Sequence, residues 1–276
     1  MKILKFTLYG RNAFFKKPDV NSILYYSYGN IHKVALLGMF GAILGYGGYN
    51  KMESYIQNIK KDKNTSKENI EYPEFYNKLK DIKISIVPNN DGFFEKKVQV
   101  FNNSVGYASK EQGGNLIIKE QWLEYPSWDI YFQISDEVSE SLADYILNRR
   151  SVYIPYLGKN DHMANIDNVE LFEGDDIEIL KNSSNIDCLF KEGMFEFNNY
   201  EDDDYDIEYE DQDDCDEDSE DEDYIEKFKY QERLPIALEN QTNLYIMQKF
   251  IFTNMNLSKN SDVEIFKVGN RKIVFY

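Results

Sequence analysis

Between Tyr200 and Asp223 the chain carries 17 Asp or Glu among 24 residues, and not one Lys or Arg. Carboxylates at that density repel one another, and they bring too little apolar surface to offset the entropy lost on ordering. No compact unit can run through such a segment, so the fold must be assembled from the residues on either side. A disordered, solvated loop is expected at about 198–225. The tract contains no glycine, so it lacks the Asp-x-Asp-x-Asp-Gly order of a calcium loop. Diffuse cation binding or contact with a basic partner remains open for it.

The tract also distorts the overall charge. The whole chain has 31 basic and 49 acidic residues, a net of -18. Without the tract, 31 basic residues face 32 acidic ones, a net of -1. Residues 1–120 hold 18 basic and 11 acidic groups, a local +7 that attracts phosphates if those groups share a face.

Two cysteines, Cys188 and Cys215, cannot build a disulfide framework, so a reducing cytoplasm is expected. The longest apolar run, Val34 to Gly48, is 15 residues long with five glycines, too short for a hydrocarbon core about 30 Å thick. No membrane span is expected. Met1 to Gly10 has lysines among alternating apolar residues and reads as a strand rather than a signal peptide.

Lys2 to Tyr9 is the first expected strand. Arg11 to Pro18, basic and aromatic, is expected to be an exposed connection. An amphipathic helix is expected from Asn30, with Asn30 as its N-cap, to about Leu44. Its glycines at 38, 41 and 45 each cost about 0.5–1 kcal/mol relative to alanine. Close approach explains that cost, either by a packed sheet or by an RNA backbone. A helix at Met52 to Ile59, a further segment Phe75 to Leu79 and a strand Lys83 to Val87 follow. Lys97 to Phe101 and Asn115 to Lys119 form a protruding hairpin, and Trp128 to Ile134 is the next strand. Ser135 caps a helix over Asp136 to Asn148, and Val152 to Tyr156 is the last strand of this unit. Beyond about residue 180, Leu244 to Thr253, Val263 to Val268 and Lys272 to Tyr276 are strands.

This order is that of an α+β protein: a ferredoxin-like N-terminal domain over 1–180, with an inserted β-hairpin at about 88–128. A small β-rich C-terminal subdomain, 181–276, contains the acidic loop.

The chemical motifs are few. Leu157 to His162 contains Gly158-Lys159, but a phosphate loop would need Gly at 153 and Ser or Thr at 160, where Tyr153 and Asn160 stand. The segment is either a strand-to-loop turn or a loop setting Lys159, Asn160 and His162 against a nucleic-acid backbone. The two histidines, His32 and His162, have no zinc spacing, and no nucleophile elbow occurs. Most of the 22 Tyr and 18 Phe are core formers. Phe14, Phe15, Tyr25, Tyr26 and Tyr28 flank Arg11, Lys16 and Lys17, which makes them candidates for stacking on bases.

Three blocks in this order resemble the CRISPR-associated (Cas) family five of the RAMP superfamily, in its type I-B branch. They are Phe6-Thr7-Leu8-Tyr9-Gly10-Arg11-Asn12-Ala13-Phe14-Phe15-Lys16-Lys17-Pro18, the glycine-bearing Val34 to Gly45, and Tyr156-Leu157-Gly158-Lys159-Asn160-Asp161-His162. The resemblance covers roughly 1–180 and more weakly the remainder, where Leu234-Pro235 also fits. It does not include the acidic tract.

The resemblance implies a noncatalytic subunit of a Cascade complex in antiviral defence. Such a subunit has a ferredoxin-like (RRM/RAMP) domain, holds the 5′ handle of the crRNA and caps the backbone filament, and the resemblance makes the hairpin at about 88–128 a thumb wedged where handle meets spacer. It implies crRNA, the Cascade backbone and large subunits as partners, target DNA only through the complex, one copy per complex, and no cofactor or metal. The RNA-binding residues expected are Arg11, Phe14, Phe15, Lys16, Lys17, Tyr28, His32, Lys33, Gly38, Lys159, Asn160 and His162. One branch of the family cleaves repeat RNA with a Tyr and an adjacent Lys-His pair. Tyr28 matches the Tyr position, but Ile31 precedes His32 and Asp161 precedes His162, so no cleavage is expected. The rival expectation is a metal-independent endoribonuclease using Tyr28 with His32 or His162. A third is that the acidic tract imitates DNA and regulates a basic partner.

Overall fold

The computed structural model describes residues 1–18, 23–61, 71–89, 92–102, 106, 110–112, 116–198, 226–240, 242–260 and 262–276. The expected acidic loop lies outside the described residues from 199 to 225, and so do the readings of its role.

The chain runs β1 (Lys2–Tyr9), β2 (Asn12–Ala13), α1 (Lys33–Leu44), α2 (Tyr49–Lys61), α3 (Glu74–Leu79), β3 (Ile84–Pro88), β4 (Lys96–Asn102), β5 (Ile117–Glu124), β6 (Ser127–Ile134), α4 (Glu137–Leu147) and β7 (Asn165–Glu173). Four of these strands form a sheet in the order β3-β6-β1-β7, with every neighbouring pair antiparallel. Alternation decides its faces. Leu4, Phe6, Leu8, Ile84, Ile86, Trp128, Ile130 and Phe132 bury one face beneath helices that contribute Leu36, Leu37, Phe40, Leu79 and Leu142. Phe40 meets Phe6 and Phe132 at ring-centroid distances of 6.2 and 5.7 Å. Full burial of each such side chain contributes about 1.5–3 kcal/mol.

The remaining strands are β8 (Ile177–Leu180), β9 (Phe190–Lys191), β10 (Phe195–Phe197), β11 (Lys229–Leu238), β12 (Tyr245–Thr253), β13 (Leu257–Lys259), β14 (Ile265–Val268) and β15 (Arg271–Ile273). They make small antiparallel sheets, β11-β12-β9, β15-β14-β8 and β10-β13. Ile3, Val87 and Tyr131, on the second face of the central sheet, join Cys188, Phe190, Ile251, Ile265 and Val274 in a further core. The molecule is thus a mixed α/β fold, mostly antiparallel, with few helices.

Between β3 and β6 the chain leaves the sheet as the β4–β5 hairpin. Its inner strand is anchored on two sides: β2 pairs with Leu123 and Glu124, and the Tyr25 backbone bridges Lys119 and Gln121.

Several expectations are corrected. The α1 cap is His32, not Asn30: the His32 Nδ1 accepts from the Ala35 N–H at 3.2 Å. Asn30 is instead buried, and its Oδ1 accepts from the Trp128 indole at 2.9 Å. The α4 cap is Asp136, not Ser135; Asp136 and Ser139 exchange side-chain bonds to each other's backbone in a capping box. Val152 to Tyr156 is no sheet strand. The Val152 and Tyr153 amides donate to the Ile43 and Ala42 carbonyls, so this segment satisfies the end of α1, and β7 fills the sheet position. Arg11 to Pro18 is not an exposed connection throughout, because Ala13, Phe14 and Phe15 are buried. In β2 and the residues after it, Phe14 N–H donates to the Leu157 carbonyl and Phe15 N–H to the Ser27 hydroxyl.

Candidate nucleic-acid groove

The α1 glycines differ in what they allow. A Cβ at Gly41 would lie 2.5 Å from the Phe75 Cβ, so this position lets α3 approach. Gly45 ends the helix at φ +81, the left-handed region that favours glycine. Gly41 thus packs against a helix rather than the sheet expected from sequence, and Gly45 serves the left-handed turn against Val152. At Gly38 the nearest atom to an added Cβ is in the Phe75 ring, at 3.9 Å. Protein packing therefore does not require glycine at 38.

Gly38 faces a groove of about 840 Å³. Ala35, Gly38, Ala42 and Gly45, three and four residues apart, form its floor on one side of α1. Tyr46, Tyr49 and Phe75 flank it from the chain following α1 and from α3. Tyr153, Tyr156 and Gly158 come from the segment that caps α1, and Tyr245 from β12. Exposure runs from 37% at Tyr245 to 59% at Tyr153, with Tyr49 and Tyr156 between, so these rings present faces to solvent. Burial pushes the Tyr49 phenol up to about 12, and that of Tyr245 upward. Such a groove offers stacking surfaces and a backbone that can be approached closely.

The residues expected from sequence do not all meet there. Of them, Phe15 and Gly38 line the groove. Phe14, Phe15, Tyr28, His32 and His162 are buried, which leaves them almost no face for a base. Tyr28, His32 and Tyr245 pack edge to face, at 5.3 Å for Tyr28–His32 and 5.5 Å for His32–Tyr245. His162 lies elsewhere, its ring 4.4 Å from Trp122. The two histidines therefore do not share one site with Tyr28 in this arrangement. Burial pushes the His32 imidazole down to about 3, and His162 is also lowered, by burial first and by Lys159.

The cations are mostly engaged within the chain. Lys17 pairs with Glu232 at 2.7 Å, and Lys159 with Glu120 at 2.9 Å. The exposed Lys16 sits 3.8 Å above the Tyr25 ring. Lys33 donates to the Tyr276 carbonyl at 3.1 Å and is pushed down to about 8 by burial and by Lys191 and Lys83. Arg11 and Asn160 are exposed. Sequence reasoning missed Tyr46, Tyr49, Tyr153, Tyr156 and Tyr245. They come from separate segments, and no spacing marks them as one set.

Among the described residues, no group of three or more His, Cys, Asp or Glu is placed to hold a metal ion, and no helix is long and apolar enough to cross a membrane.

The fold and groove define a mixed α/β protein with a tyrosine-walled cleft over its first helix. No family model matches the chain. No curated protein matches it either. Among solved structures it is similar to a chain described as "CRISPR RNA-guided surveillance complex", at 9% identity, over 93% of this chain and 91% of that one, with a TM-score of 0.47. It is also similar to "Crystal structure of a CRISPR protein from Archaeoglobus fulgidus", at 9% identity, over 99% and 98%, with a TM-score of 0.44. A third neighbour, "Crystal structure of Cas protein", has 11% identity over 57% of each chain and a TM-score of 0.32. These neighbours are CRISPR-associated proteins.

Proposed function

We propose that this chain is an RNA-binding subunit of a CRISPR surveillance complex of type I-B, in Cas family five, that holds the crRNA 5′ handle in the groove over α1 and caps the backbone filament. The observation that carries the RNA-binding part is the open glycine at 38, on a floor of small residues between exposed tyrosines. A helix accepts a glycine that its own packing does not need when something outside the protein must come close. The ordering of the three sequence blocks carries the CRISPR part. The strand order β3-β6-β1-β7 with two crossing helices agrees with a ferredoxin-like RAMP unit, and the β4–β5 hairpin with its thumb.

In this reading bases stack on Tyr49, Tyr153, Tyr156 and Tyr245, while Arg11, Lys16 and Asn160 meet the backbone. Stacking contributes about 1–3 kcal/mol per base. With Lys17 and Lys159 held by carboxylates, binding draws on few phosphate contacts and depends modestly on salt. No RNA cleavage is part of the proposal: Tyr28 and His32 are buried, and His32 is neutral with its Nδ1 committed to the helix cap.

The test is to capture the tagged protein from cells carrying its CRISPR locus and sequence the ends of the RNA that comes with it. One shared repeat-derived 5′ end, together with the other complex subunits, is expected. Random or unprocessed RNA without those subunits would overturn the assignment, and cutting of a cognate repeat in EDTA would restore the ribonuclease alternative.

A further inference from the structure

The loop after the α1-capping segment touches two parts of the molecule. On one side, Tyr156 and Gly158 line the groove. On the other, Lys159 reaches the middle of the β4–β5 hairpin, where Glu120 stands opposite Gln99. Its ammonium donates to Glu120 Oε2 at 2.9 Å, and the same oxygen accepts from the Trp122 indole at 2.7 Å. Phe101, Trp122 and Phe14 surround that ammonium, with ring centroids at 4.9, 5.4 and 5.9 Å. Glu120 is itself buried while the Lys159 side chain stays 26% exposed, so the rings form a partly enclosed, three-sided box around one cation.

The loop is also closed upon itself. Leu157 N–H donates to the His162 carbonyl, and His162 N–H to the Lys159 carbonyl. His162 covers Trp122 from that side, and its two ring nitrogens have no hydrogen-bond partner among the described residues. Gly158 sits at φ +84 with the Phe14 carbonyl where a Cβ would go, so the loop lies flat on the segment after β2.

We infer that Lys159 is a positioning residue: with Glu120 and Trp122 it clamps the groove-lining loop to β5 of the hairpin, so that hairpin position and groove shape are set together. The RNA consequence rests on the proposed function; the clamp itself does not. A phosphate ligand and a clamp respond oppositely when Glu120 is neutralised. A lysine awaiting phosphate would be released by Glu120→Gln, and RNA would bind more tightly. A clamp loses its anchor, and binding weakens.

The experiment uses the full chain with Lys159→Met, Lys159→Arg and Glu120→Gln, and reads two quantities. The first, without RNA, is hydrogen exchange at the Phe14, Leu157 and Gln121 amides and along β4–β5. Lys159→Met and Glu120→Gln are each expected to speed exchange there by about tenfold or more, as local opening becomes easier, with Lys159→Arg close to the parent. The second is binding of a short single-stranded RNA over a salt series. Both neutral variants should weaken it several-fold with the log-log slope unchanged, whereas a lost phosphate contact lowers the slope by about one. Unchanged exchange in both variants overturns the clamp, as does tighter binding by Glu120→Gln. If the parent chain binds no RNA, the proposed function falls while the exchange measurement still decides the clamp. Should Lys159→Met fail to fold, Trp122→Phe removes the indole donor while keeping the ring, and the same exchange increase is expected.

Discussion

The Nδ1 of His32 accepts the Ala35 amide of the first helix at 3.2 Å, a capping contact made by a residue outside the usual Ser, Thr, Asp and Asn set. The imidazole must be neutral to accept. Burial agrees with that by pushing its pKa to about 3 from an ordinary 6.5. Between these values the unfolded chain binds a proton that the folded chain refuses. The stability that neutral His32 provides is therefore complete above about pH 6.5 and is lost as pH falls towards 3. His32→Asn keeps an acceptor at the cap and removes the titration. Chemical denaturation between pH 4 and 6.5 should give a flatter stability profile than the parent. Some slope remains from His162, which is lowered in the same direction.

Gly38→Ala should raise stability and weaken binding. The alanine removes a helix glycine without meeting anything nearer than 3.9 Å, a gain of about 0.5–1 kcal/mol. Its methyl enters the groove floor. A melting curve and an RNA titration on the same sample check the two halves, and Gly41→Ala provides the contrast: it should destabilise because Phe75 is in the way.

Tyr153→Ala and Tyr156→Ala should each cost about 1–3 kcal/mol of RNA affinity if their rings carry bases. Their melting temperatures should stay near the parent value, because neither side chain is buried. Fluorescence anisotropy with a handle-length single strand is a suitable measurement.

Glu232 holds three groups at once: the Lys17 ammonium at 2.7 Å, the Gly29 amide at 2.8 Å and the Tyr230 hydroxyl. Glu232→Ala strands all three in a half-buried site and should cost on the order of 2–4 kcal/mol of stability. Lys17→Met should cost less, since the carboxylate keeps its other donors. Urea denaturation of the two variants reads the difference, and the reverse ranking would remove Glu232 as the fastener between β11 and the segment before α1.

Legibility in the sequence followed periodicity. Lys2 to Tyr9 and Trp128 to Ile134 alternate clearly and are the two inner strands of the four-stranded sheet, and Lys83 to Val87 forms its edge strand β3. The fourth strand was obscured. Asn165 to Glu173 shifts register against β1 and includes Asn168 at φ 49, which interrupts its period of two. Val152 to Tyr156 has strand-like residues but uses its first amides on helix carbonyls. Phe14 and Phe15 misled for a different reason: basic neighbours suggested a wet segment, while the backbone bonds to Leu157 and Ser27 turn both rings inward. Gly38 was legible as a glycine needing an explanation. The tyrosines around it were not, because only the folded chain brings residues 49, 153 and 245 together.

The hairpin leaves and rejoins the sheet at adjacent points. Pro88 stands opposite Trp128, and the Asn89 amide donates to the Ser127 carbonyl at 3.0 Å. Everything between those residues begins and ends at one hydrogen-bonded pair, so its length imposes no displacement on the strands beneath. A lineage carrying this scaffold is free to lengthen or shorten the excursion beyond the Asn102–Ile117 pair, whereas β5 itself is tied to β2, the Tyr25 backbone and Lys159.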